Sequence, residues 1–118
     1  MSSPIARAAR RWYWQRVSAM AMTAFVLVHL GVIVYAIRGG LSAAEILART
    51  SGSIAWAAFY AGFVGLTAVH ASIGMRNVLV EWAGLRDRYA GILSNALALL
   101  LLFMGLQAVW AVTMAGTS

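Results

Sequence analysis

The sequence predicts an all-α membrane protein with three transmembrane helices, on three observations. The 118 residues are 63% hydrophobic and 10% charged, with one proline, a composition too apolar for an ordinary soluble domain of this length. Residues 17–37, 54–78 and 92–112 form three apolar stretches, each long enough to cross a bilayer core that takes about 20 helical residues. The arginines, finally, are distributed as they are around membrane helices. There is no lysine; Arg7, Arg10, Arg11 and Arg16 precede the first stretch, Arg76, Arg86 and Arg88 border the second loop, and only Arg38 and Arg49 lie on the first loop. That asymmetry places the N-terminus and second loop in the cytoplasm and the C-terminus outside. The net charge of +6 therefore reports topology and lipid contact. No nucleic acid is expected as a partner, because no water-facing domain presents the charge.

The first element begins after a basic region, as a signal peptide does, but its apolar run is too long, and Trp12-Tyr13-Trp14 reads as an interfacial aromatic belt. The first helix is expected to be retained. Arg38-Gly39-Gly40 ends it, because paired glycines break helices and satisfy the last carbonyls in left-handed geometry. Ser42 with Glu45 at the third following position forms a capping-box pattern, which predicts a short surface helix on the outer face. Ser51-Gly52-Ser53 leads into the second spanning helix, where Ala57, Ala61 and Gly65, and the pair Ala58 and Gly62, are spaced by four. Such stripes let helix backbones approach closely. The third spanning helix has no ionisable residue, and with Gly105 and Gln107 as its unusual features it reads as a packing helix. There is no internal repeat, low-complexity tract or linker, so residues 1–118 are expected to form a single domain. The absence of cysteine excludes disulfides, thiolate metal sites and covalently attached c-type haem.

The chemistry concentrates on two histidines. His70 lies in the second span, where an imidazole loses its water partners and is costly unless it faces a bundle interior, a cavity or a bound group. Gly62, Leu66, Thr67, Ile73 and Gly74 share its face; the glycines leave room for something flat, or serve helix packing alone. His29 lies mid-way along the first span with Met22, Phe25, Val26, Val32 and Ile33 on its side, either bonding a neighbouring helix or holding a ligand. At 1.5 Å per residue, His29 is about 20 Å from Arg16 and His70 about 9 Å from Arg76, so the two differ in depth by roughly 10 Å. They do not share one metal, and two separated histidines without carboxylate or cysteine make a poor zinc site. A b-type haem needs two axial imidazoles at one depth. Each histidine, if a ligand, thus needs a second one from another chain, giving one haem, or two stacked across the bilayer.

Two segments resemble the small membrane-anchor (cytochrome b) subunits of succinate dehydrogenase and fumarate reductase, the respiratory complex II family. Gln15-Arg16-Val17-Ser18-Ala19 is similar to the family's His-Arg-x-Ser-Gly at the start of helix one. The segment from His70 through Gly74 to Glu81 resembles the helix-two pattern of a haem-ligating His, a Gly four residues on and an acidic residue eleven residues on. The three-helix layout and the length fit as well.

The resemblance implies that His70 is an axial ligand to haem b iron and Arg76 lies near the haem propionates. It also implies that Arg16 and Ser18 lie near a ubiquinone or menaquinone pocket. A guanidinium can hold a propionate bidentately, and a hydroxyl with a cation can bond a quinone carbonyl and stabilise the charge that develops on reduction. His29, which one-haem members typically lack, points to a second haem iron. The implied partners are a second three-helix anchor subunit completing the haem site, an iron–sulfur subunit and a flavoprotein subunit docked on the cytoplasmic face, and membrane lipid. The implied location is a bacterial inner membrane, multi-pass, and the implied role is electron transfer between the iron–sulfur subunit and quinone by a chain that is not catalytic alone.

Departures also carry information. Gln15 stands where one anchor type has His, Trp12 where that type often has a quinone-contacting Ser, and Trp82 where the other type often has a quinone-bonding Tyr. An indole N–H donates a hydrogen bond but cannot deliver a proton as a phenol can, so this chain is expected either to supply only part of the quinone site or to contact the quinone through Trp82 alone. Rival readings are a haem-free quinone-binding anchor of the same complex and a small unrelated transporter. The transporter needs an intramembrane carboxylate to couple protons, whereas Glu45 and Asp87 lie outside the spans and Glu81 at an interface.

Overall fold

The computed structural model describes residues 3–115, so residues 1, 2 and 116–118 of the expected 1–118 domain lie outside the described residues. The described residues fold as four helices: α1 Pro4–Arg38, α2 Ala43–Thr50, α3 Ile54–Glu81 and α4 Asp87–Thr113. Three of them, α1, α3 and α4, are long and apolar enough to cross a membrane. The all-α, three-span architecture expected from composition is the one observed.

The helices run past the expected spans. Pro4 occupies the first turn of α1, where its missing N–H costs nothing, and Ser3 Oγ accepts the Ala6 N–H at 3.0 Å. The arginine-bearing N-terminal arm is therefore a continuation of the same helix. At 1.5 Å per residue α1 is about 52 Å long, against a hydrocarbon core of about 30 Å. α4 starts at Asp87, whose carboxylate in the first turn suits the positive end of the helix dipole.

The turns follow the expected chemistry. Gly40 adopts φ +63°, with its N–H on Ile37 O and the Leu41 N–H on Ala36 O, the Schellman closure that a left-handed residue permits. Ser42 caps α2 by accepting the Glu45 N–H at 3.2 Å and donating to the Glu45 carboxylate at 3.1 Å. The carboxylate thus engages the cap hydroxyl.

α3 is central, packing most extensively on α4 and along its other side on α1. The buried positions are small or hydroxylated: Ser18, Thr50, Ala68, Ala90, Ser94 and Thr113. Leu27, Leu99, Phe103 and Trp110 point outward. This is the pattern of a lipid solvent, where helices associate through close backbone packing because tails are as apolar as leucine. The tightest point is Gly105 on α4, where an added Cβ would meet Val64 Cγ1 at 2.5 Å. At the C-terminal end of α4, Thr50 Oγ1 donates to Val112 O at 2.7 Å and the Gly52 N–H to Thr113 O at 2.6 Å, fastening α2 to the end of α4.

Candidate functional site

One antiparallel register aligns α1 with α3. Gln15 lies against Gly74, Ser18 against His70, Phe25 against Phe63 with ring centroids 5.7 Å apart, and His29 against Tyr60 with centroids 5.6 Å apart. Tyr60 and His70 are ten residues apart, so the levels of the two histidines differ by about 15 Å. This exceeds the roughly 10 Å expected from arginine depths, and this chain cannot place both imidazoles on one iron.

His70 is half-buried, and its Nδ1 lies 3.3 Å from Ser18 Oγ. Ser18 is 1% exposed and its hydroxyl donates to Gln15 O at 3.1 Å. One turn earlier, the buried Gln15 Oε1 has no hydrogen-bond partner. A buried carbonyl oxygen without a donor is uncommon in a folded protein. Both glycines face α1: the Phe25 ring lies 3.4 Å from the position of an added Cβ at Gly62, which is otherwise exposed, and Gln15 Nε2 lies 3.6 Å from that of Gly74. Those glycines let α1 and α3 approach. Gly65, in contrast, meets nothing within 4 Å.

His29 is held differently. Its ring packs edge-on against Tyr60 and Phe63, with a long 3.5 Å contact from Nδ1 to the Tyr60 hydroxyl. It lines a largely apolar groove of about 630 Å³ bordered by all four helices, together with Thr50, Tyr60, Thr67, Met104 and Val109. A second groove, of about 530 Å³, runs from Arg7, Arg10 and Arg11 to Trp14, Val69 and Ile73.

The residues expected at a quinone do not converge within this chain. Arg16 is exposed and its guanidinium lies 5.1 Å from the centroid of the Trp12 ring, a cation–π geometry. Ser18, two residues on, points to the opposite side and is buried against α3. Trp82 is 85% exposed at the C-terminal cap of α3; by the α1–α3 register it stands level with Arg7, roughly 13 Å along the axis from Arg16. Arg76 makes a 3.0 Å ion pair with Asp87 at the head of α4.

The Ser18–His70 pair, the Tyr60–His29 contact and the unsatisfied Gln15 oxygen were missed from sequence. Each hydroxyl sits in an apolar run, and its partner is set by helix register. Among the described residues no group of three or more histidine, cysteine, aspartate or glutamate side chains gathers to hold a metal.

In comparison with known families, the model of the succinate dehydrogenase/fumarate reductase transmembrane subunit matches residues 5–109. No curated protein and no solved structure matches the chain.

Proposed function

This chain belongs to the family of succinate dehydrogenase/fumarate reductase transmembrane subunits, and from that premise we propose that it is a haem b-binding anchor serving electron transfer between an iron–sulfur subunit and membrane quinone. The observation that carries this reading is His70, an imidazole in a membrane-spanning helix with one ring nitrogen hydrogen-bonded, at Nδ1. The other ring nitrogen is available to a ligand.

The residues present fit a haem. The donor is an imidazole oriented through its other nitrogen, as in metal-ligating histidines generally. Arg76 lies toward the cytoplasmic side of the Ser18–His70 level, where a guanidinium suits a propionate. When bound, the haem supplies a one-electron carrier whose potential the protein tunes through its ligand and surroundings. His29 lies on another level, so a second imidazole for the same haem would have to come from the second anchor subunit.

Arg16, at the cytoplasmic end of the α1 span, is the residue we assign to a ubiquinone or menaquinone carbonyl, where a cation stabilises the charge of reduction. Trp82 contributes an exposed indole donor at the end of α3. A second haem on His29 is favoured by the groove that this ring lines. The iron–sulfur and flavoprotein subunits dock on the arginine-rich end, in a bacterial inner membrane.

The test is a reduced-minus-oxidised spectrum of the purified complex, with haem quantified per flavin, for wild type, His70→Ala and His29→Ala. Loss of a b-type component with His70→Ala supports the assignment. No b-type signal in the wild type would leave a haem-free quinone anchor.

A further inference from the structure

The two ring nitrogens of His70 are not equivalent. A serine hydroxyl has one proton to donate, and that of Ser18 is directed at the Gln15 carbonyl, 3.1 Å away, which can only accept. The Ser18 oxygen then meets His70 Nδ1, 3.3 Å away, with its lone pairs. The contact is satisfied when Nδ1 carries the ring proton, and a neutral imidazole has only one. Nε2 is left with the lone pair. Ser18 is 1% exposed, so water does not compete for either bond.

We infer that Ser18 is a positioning residue for His70, its buried hydroxyl accepting the Nδ1 proton so that Nε2 is the nitrogen presented to iron. This rests on the haem reading above and adds to it a specific part for a residue that the family resemblance assigns to quinone. The device needs both bonds. Without the Gln15 carbonyl the hydroxyl could rotate and donate to Nδ1, which would put the ring proton on Nε2 and block ligation. An acceptor on Nδ1–H also raises the basicity of Nε2, which favours the ferric state and lowers the midpoint potential. Ser18 is a neutral acceptor, so this effect is smaller than that of a carboxylate in the same place.

The experiment uses the whole purified complex, comparing wild type, Ser18→Ala and Ser18→Cys by redox titration of the b-type absorption, by the low-temperature magnetic resonance spectrum of the ferric haem, and by thermal unfolding. Ser18→Ala is expected to move the midpoint potential of the His70 haem positive and to alter its ferric low-spin signal, with Ser18→Cys, a weaker acceptor of nearly native size, in between. Loss of that haem in Ser18→Ala with retention in Ser18→Cys also supports the inference. An unchanged potential and signal in Ser18→Ala, whatever the melting temperature, would show that Ser18 merely ties two helices together, and equal haem loss in both variants would also overturn the inference, because the cysteine keeps an acceptor of nearly native size. A wild-type complex without b-type haem overturns the haem reading and this inference with it, whereas an insensitive Ser18→Ala overturns the inference alone.

Discussion

Ser18 and His70, 52 residues apart in sequence, meet at 3.3 Å across the α1–α3 interface, and Gln15 and Gly74 meet one turn nearer the N-terminal end of α1. This level is where the chain combines a buried hydroxyl, a half-buried imidazole and an unsatisfied carbonyl oxygen. Most large apolar side chains elsewhere face outward.

Gly105→Ala is expected to destabilise the bundle by about 1–3 kcal/mol, the usual cost of overpacking. Its new methyl would overlap the two Cγ atoms of Val64. Thermal unfolding of the detergent-solubilised complex reads the effect, and the double variant with Val64→Ala should recover much of it. Simple additivity of the two losses would contradict a direct contact.

Thr50→Val should cost about 1–3 kcal/mol by leaving the Val112 carbonyl near the end of α4 without its hydroxyl donor. Thr50→Ser keeps the hydroxyl and should stay close to wild type. Limited proteolysis between α2 and α3 gives a second readout, since cleavage should quicken in the valine variant only.

Arg76→Ala and Asp87→Ala separate two roles of one guanidinium. Asp87 is 76% exposed, so losing the ion pair alone should change stability by about 0–1 kcal/mol. Arg76→Ala is expected to lower haem content per flavin as well, while Asp87→Ala leaves it unchanged. Identical haem content in the two variants would remove Arg76 from the propionate assignment.

Tyr60→Phe probes the level of His29. The hydroxyl faces His29 Nδ1 at 3.5 Å, so its removal should perturb only the b-type component that His29→Ala abolishes and leave that of His70 intact. A shift in both components would mean that the two levels are not independent.

Much of the fold was legible in the sequence because each membrane helix closes its backbone hydrogen bonds internally, so composition and span length suffice to predict it. The glycine turn at Gly40, the cap at Ser42 and the prominence of His70 and His29 are likewise local properties of residue type and spacing. The extension of α1 to Pro4 was not legible, because an arginine- and tryptophan-rich arm carries no apolar run to mark it as helix. Nor was the contact of Gly62 with Phe25 and of Gly74 with Gln15, or the separation of Ser18 from Arg16. These depend on the rotation and register of α1 against α3. In an almost uniformly apolar helix neither is marked by a hydrophobic stripe; the close fit of small residues and a few hydroxyl bonds decides them, and so only the tertiary structure shows that Ser18 faces His70.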